Sequence, residues 1–147
     1  MRIVLPIALF LLFGMGASSG EPDPDHKAFQ GTWNLVESTR SGRKEEVKGR
    51  ITITFKGDQW KVQLGTESGG KSGTFKVDST KKPKAFEMVD GGDRYIGIYT
   101  LDGNRLKICT VSPKKDKENK RPLPERPTTF ESTKENQADL MVLERMK

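Results

Sequence analysis

The segment Phe29-Gln30-Gly31-Thr32-Trp33-Asn34-Leu35-Val36 decides the fold of this chain. Within it Trp33 and Leu35 alternate with polar Thr32 and Asn34, which is the period of a strand with one buried face. A large flat side chain at the start of a first strand suits the narrow end of a closed barrel. Gly31 permits close approach of a neighbouring group to the backbone. The segment therefore predicts the opening strand of an all-β domain.

Outward from this strand, short apolar runs alternate with turn signals. Ile51-Thr52-Ile53-Thr54-Phe55, the turn at 56–58 and the run 60–64 together predict a hairpin. The same pattern predicts further strands at 74–77, 85–89, 95–101, 105–111 and 138–145. The only helical signal is a single turn at 26–29, after Asp25. About eight strands at near-regular spacing favour a small antiparallel up-and-down β-barrel, with an open sandwich as the alternative.

The first strand resembles the opening of lipocalins and intracellular fatty-acid-binding proteins, which carry a Gly-x-Trp there. Gly31 and Trp33 match that motif, and Arg145 lies near the end of the last predicted strand. In lipocalins an arginine in that place packs across the tryptophan as a cation–π contact. The resemblance thus implies that Gly31, Trp33 and Arg145 form a barrel-closing structural motif that does not bind ligand.

The whole chain after residue 27 resembles an uncharacterised lipocalin-like domain family abundant in planctomycete bacteria. Segments 29–33, 80–85, 97–109 and 126–130 carry the resemblance, which covers about residues 28–145. It implies a lipocalin-like barrel and no particular activity. Segment 37–50 is too short and too rich in glycine and charge for the two-helix lid of fatty-acid-binding proteins. Their late Arg-x-Tyr, which holds a carboxylate, has no match in this sequence.

Residues 1–20 are predicted to be a signal peptide. Arg2 precedes an apolar run of 11 residues, Ile3 to Phe13, and mostly small residues follow up to Gly20. The run is well short of the ~20 residues that span a bilayer, so no stable membrane anchor is expected. We expect an extracytoplasmic protein, periplasmic or secreted, with a linker at 21–27 and one lipocalin-like β-barrel domain at 28–147.

Composition argues against several classes of function. The chain has one histidine, His26, and one cysteine, Cys109, so neither an internal disulfide nor a transition-metal site is expected. Asp90 and Asp93 flank two glycines, a pattern more typical of a turn than of calcium binding. No nucleophile has a histidine beside it, and we expect no catalytic residues, no cofactor and no enzyme activity. A lone strand cysteine is expected to be buried.

The formal net charge is +6, and the loop 112–128 contributes a basic run. Because this loop has no interleaved aromatic residues, nucleic-acid binding is not expected. The first functional expectation is a carrier for a small apolar or amphipathic ligand, with a cavity of roughly 300 Å³ or more. Trp60, Phe75 and Phe86 are the candidates for lining that cavity. The alternative is a protein-interaction module, such as an inhibitor of secreted enzymes, that uses loop 65–73 or 112–128 to contact an extracytoplasmic protein.

Inward-facing positions give the predicted core. It comprises Trp33, Leu35, Ile51, Ile53, Phe55, Trp60, Val62, Leu64, Phe75, Val77, Phe86, Met88, Ile96, Ile98, Leu106, Ile108, Phe130 and Val142.

Overall fold

A computed structural model describes residues 22–48, 50–66 and 70–147. The predicted signal peptide therefore lies outside the described residues. Within them are one helix, α1 (Pro24–Phe29), and nine strands. The strands are β1 (Gly31–Arg40), β2 (Arg43–Glu45), β3 (Ile51–Lys56), β4 (Gln59–Leu64), β5 (Ser72–Asp78), β6 (Ala85–Asp90), β7 (Asp93–Asp102), β8 (Arg105–Val111) and β9 (Asp139–Arg145). Among the described residues, no helix has the length and apolar character needed to cross a membrane.

β1 closes the sheet into a barrel because it pairs along both of its edges. One edge pairs with β3 from Gly31 to Asn34 and then with β2 from Ser38 to Arg40. The other edge pairs with β9 over most of its length, with a bulge between Leu35 and Glu37. Strands β3 to β9 follow one another in antiparallel order. The eight strands β1 and β3–β9 thus form a closed antiparallel barrel, which confirms the predicted fold class and excludes the open sandwich.

The barrel interior holds the main hydrophobic core. Phe29, at the end of α1, lies at the centre of an aromatic cluster. The rings of Phe55, Phe75, Phe86 and Tyr99 have centroids between 5.0 and 5.9 Å from that of Phe29, in stacked and edge-on arrangements. Because this cluster fills the end of the barrel nearest α1, we call that end the closed end.

A second, smaller core lies on the outer face of β7, β8 and β9. The long connection 112–138, which we call the strap, runs over this face. Ile98 and Cys109 are fully buried beneath it and pack against the strap's own Ala138 and Phe130. Cys109 is free and buried, as expected of a lone strand cysteine. A face that would otherwise meet water is therefore apolar because the strap covers it.

The structure differs from the sequence expectations of the fold at several points. Leu64 is 48% exposed instead of buried, because it lies beyond Lys61–Ser72, the last ladder pair between β4 and β5. Tyr99 is fully buried and was not predicted in the core. Helix α1 starts at Pro24, within the segment predicted to be a linker, and is capped by Asp23 rather than Asp25. Strand β2 was not predicted; its three residues are all exposed.

Candidate functional site

The three residues of the barrel-closing motif contact one another at the closed end. The Arg145 guanidinium carbon lies 4.2 Å from the centroid of the Trp33 ring. The same guanidinium donates to the carbonyl oxygens of Gln30, at 2.8 Å, and Ala28. Gly31 has φ +117°, and a Cβ there would lie 3.2 Å from Arg145 Nη1. The structure therefore brings Gly31, Trp33 and Arg145 together, and leaves no room for a ligand between them.

Helix α1 is tied across this end by its acidic residues. Asp23 accepts from the Ser79 N–H at 2.7 Å and from the Ser79 hydroxyl at 2.9 Å. Burial opposes ionisation of Asp23, but these bonds and one from the Asp25 N–H hold its pKa below the usual value. Asp25 accepts from the Tyr99 hydroxyl and from Lys84 Nζ, both at 2.7 Å. Burial, and then the Asp25 carboxylate, strongly raise the pKa of Tyr99, so its hydroxyl stays a donor.

His26 also belongs to this closed end. Its ring stacks on Phe75 with a centroid separation of 5.3 Å. Its Nε2 atom lies 3.0 Å from Asp58 Oδ1 but has no partner in hydrogen-bonding geometry. His26 therefore packs on Phe75 at the closed end and lies beside Asp58.

The opposite end of the barrel opens into a cavity of about 200 Å³. Its walls are mainly apolar, and Trp60 and Phe86 form part of them. The Trp60 Nε1–H donates to the carbonyls of Thr74 and Val89, at 3.1 and 3.2 Å, which fixes the indole orientation. Phe75, the third predicted lining residue, packs in the aromatic cluster of the closed end instead. The other apolar lining residues are Ile53, Phe55, Val62, Met88, Tyr95, Ile108 and Met141.

Polar residues surround the entrance of this cavity. We use the name mouth for the entrance formed by Ser38, Arg40, Lys71, Asp90 and Asp139. Lys71 Nζ lies 3.3 Å from Asp90 Oδ2, and Arg40 Nε lies 3.3 Å from Asp139 Oδ1. Burial raises the pKa of Asp139, and the nearby Arg40 opposes only part of that rise. The mouth thus combines an apolar floor with two ion pairs.

A larger groove of about 590 Å³ lies outside the barrel along the strap. Proline and charged residues dominate its lining, and Leu123 within it is 56% exposed. Arg126 anchors the strap by donating to the carbonyls of Gly97, at 2.6 Å, and Phe86, at 3.1 Å. The groove is wide and open to water, whereas the barrel cavity is enclosed by strands. We therefore take the barrel cavity as the candidate site despite its smaller volume.

The acidic residues around the two-glycine turn, which were considered for calcium binding, form ion pairs with basic side chains. Asp90 pairs with Lys71, and Asp93 pairs with Arg121. No group of three or more potential metal ligands occurs in the part of the chain that the structure describes. Comparison with protein-family models, with curated proteins and with solved structures found no match for this chain.

Sequence reasoning missed the residues of the mouth. Arg40, Asp90 and Asp139 come from β1, β6 and β9 and lie 50 and 49 positions apart along the chain. Arg40 and Asp139 meet because β1 pairs with β9. The alternation of side chains along a strand could have indicated Asp90. It lies two positions after Met88 and four after Phe86 on β6, so its side chain is on the same inward face.

Proposed function

We propose that this protein is a non-enzymatic, extracytoplasmic binding protein that holds a small apolar or amphipathic molecule in its barrel cavity. One observation carries the proposal. The barrel is sealed at one end by Arg145, Trp33 and α1, and opens at the other into an apolar cavity with a polar entrance. Ligand pockets have this combination of apolar walls and a few polar groups. The predicted signal peptide supports export.

The volume limits the size of the ligand. About 200 Å³ is less than the roughly 300 Å³ at which drug-sized ligand pockets begin. An apolar protein cavity of about 150 Å³ nevertheless binds benzene. The proposed ligand is therefore a molecule with one ring or a short aliphatic chain, rather than a fatty acid or a sterol.

The first experiment is native mass spectrometry of the mature protein purified from its own host, followed by solvent extraction. A defined small molecule released in stoichiometric amount supports the proposal. A panel of one-ring compounds, followed by tryptophan fluorescence, then measures binding. Trp60 lines the cavity, whereas Trp33 is fully buried at the closed end, so Trp60→Phe should remove the ligand-dependent change.

A pair of substitutions on β4 provides the matched test. Val62→Phe places a larger side chain into the cavity, and Leu64→Phe adds the same ring two residues further along, at an exposed position. We expect Val62→Phe to weaken binding at least about tenfold and Leu64→Phe to leave it unchanged. A bare protein mass, together with no fluorescence response to the panel, would refute the proposal.

The protein-interaction alternative rests on a different observation. Leu123 is largely exposed on a strap that Arg126 holds in place. Rigid loops with an exposed apolar residue are suited to contact proteins. If the mature protein carries no small molecule, this alternative predicts that a secreted enzyme of the host is inhibited by the wild type and at least about tenfold less by Leu123→Ser.

A further inference from the structure

The two ion pairs at the mouth are asymmetric in burial. The side chains of Asp90 and Asp139 are 25% and 28% exposed, whereas those of Lys71 and Arg40 are 75% and 63% exposed. The carboxylates therefore lie close to the cavity, and the cations reach over them from solvent. Exposed cations in such pairs are held weakly and are displaced at little cost.

The mouth is electrically neutral, although the chain as a whole carries +6. Its two cations, Arg40 and Lys71, balance the carboxylates of Asp90 and Asp139. Arg40 also lies 3.8 Å from Glu45, so its charge is shared between two carboxylates. A small cation that displaces one of the exposed side chains keeps this balance, whereas an anion adds to the negative charge of the two partly buried carboxylates.

Beneath the carboxylates the cavity offers aromatic and thioether groups. Trp60, Phe86 and Tyr95 line it together with Met88 and Met141. Aromatic faces attract organic ammonium groups, and carboxylates accept strong charge-assisted hydrogen bonds from them. An anionic ligand would have to enter past two partly buried carboxylates. The side chains of the mouth and those of the cavity therefore both favour a positively charged ligand.

We propose that the cavity binds a small organic amine in its protonated form, with the ammonium group at the mouth, where Asp90 and Asp139 lie, and a one-ring apolar body against Trp60 and Phe86. This inference rests on the proposed binding function and specifies the class of ligand. The ammonium group takes the place of Lys71 and Arg40 as the partner of the two carboxylates. The cavity volume of about 200 Å³ limits the body to one ring.

Three probes that share one ring separate charge from shape. They are benzylamine, which is a cation at pH 7, benzyl alcohol, which is neutral, and benzoate, which is an anion. Isothermal titration calorimetry with the wild-type protein needs no substitution. We expect benzylamine to bind about tenfold more tightly than benzyl alcohol, and benzoate to bind most weakly.

Substitutions then test whether the preference for benzylamine comes from the carboxylates of the mouth. Asp90→Asn and Asp139→Asn keep the side-chain shape and should each weaken benzylamine binding about tenfold, while benzyl alcohol binding stays the same. Lys71→Ala removes a competing cation and should tighten benzylamine binding. Asp93→Asn is the matched control, because Asp93 lies just after the same turn and pairs with Arg121 outside the cavity.

The outcomes separate the two proposals. If benzyl alcohol binds as tightly as benzylamine and both asparagine variants bind normally, the amine inference is wrong and the binding function stands. If benzoate binds most tightly and Lys71→Ala weakens it, the cavity is an anion site, and the inference is again wrong. If none of the three probes binds, and the protein from its own host carries no small molecule, both proposals fail together.

Discussion

The guanidinium of Arg145, the last residue of β9, and the indole of Trp33, the third residue of β1, face each other at 4.2 Å. The two residues are also ladder partners, so the contact joins the first and last strands of the barrel. Arg145 reaches further, to the carbonyls that end α1. A single side chain thus ties together the barrel seam and the helix that plugs it.

Removal of Arg145 should therefore destabilise the whole fold. Arg145→Ala loses the cation–π contact and two charge-assisted hydrogen bonds, and we expect the free energy of unfolding to fall by about 2–4 kcal/mol. Arg145→Lys keeps the charge but not the planar fork, and should lose about 1–2 kcal/mol. Urea unfolding followed by circular dichroism measures both.

Arg105 is the matched control for Arg145. It pairs with Glu144 at 3.2 Å, and both side chains are more than half exposed. Arg105→Ala should change the free energy of unfolding by no more than about 0.5 kcal/mol. Equal losses in Arg145→Ala and Arg105→Ala would show that the seam contact adds nothing beyond a surface charge.

Gly31 should tolerate no side chain. Its φ of +117° is unfavourable for any other residue, and a Cβ would lie 3.2 Å from Arg145 Nη1. Gly31→Ala should cost about 1–3 kcal/mol of unfolding free energy. Part of that cost comes from displacing Arg145, so the double variant with Arg145→Ala should be less destabilised than the sum of the two. Strict additivity would contradict the contact.

Gly92 provides the control for this prediction. No atom lies within 4 Å of a Cβ built on Gly92, and its backbone is not in the left-handed region. Gly92→Ala should therefore stay within about 0.5 kcal/mol of the wild type.

The sequence was sufficient for the strands of the barrel but not for its second layer. Ile51, Ile53 and Phe55 alternate with threonines, so one face could be chosen, and β3 is found there. On β7 both Ile98 and Tyr99 are fully buried, because the strap covers the outer face. When both faces of a strand are apolar, the alternation of side chains does not show which face points into the barrel. Ile96 and Ile98 were assigned to the core from the sequence, and Tyr99 on the other face was therefore missed.

The mouth could not be predicted for a related reason. The place of Asp139 beside Arg40 depends on the register of β1 against β9, which only closure of the barrel fixes. The barrel-closing motif could be recognised from sequence because Gly31 and Trp33 lie two positions apart, and the resemblance to lipocalins then pointed to Arg145. Long-range pairs between strands carry no such local pattern.

The Tyr99 hydroxyl should make stability sensitive to alkaline pH. It donates to Asp25 at 2.7 Å, and its pKa is raised in the folded protein. Between pH 7 and 8, Tyr99→Phe should lower the free energy of unfolding by about 1–2 kcal/mol. Above the ordinary tyrosine pKa of about 10, the unfolded chain loses this proton while the folded protein keeps it, so the wild type loses stability as pH rises.

The difference between wild type and Tyr99→Phe should therefore shrink from pH 9 to about pH 11. Urea unfolding at several pH values measures it. A constant difference across this pH range would contradict the prediction, because it would mean that the Tyr99 hydroxyl titrates alike in both states.

Arg126 should control access to Cys109. Cys109 is fully buried under the strap, and burial raises the pKa of its thiol to about 11. Both features slow alkylation, because the thiolate is the reactive form. Arg126 ties the strap to the carbonyls of Phe86 and Gly97 and to Glu87, so Arg126→Ala should let the strap open locally.

Alkylation of Cys109 by iodoacetamide at pH 8, followed by mass spectrometry, measures this opening. We expect Arg126→Ala to react at least about tenfold faster than the wild type while the barrel stays folded. Arg94→Ala is the matched control, because Arg94 also pairs with Glu87 but is half exposed and does not hold the strap. If both variants react alike, the strap is held by Phe130 and its apolar neighbours, and Arg126 contributes only a surface ion pair.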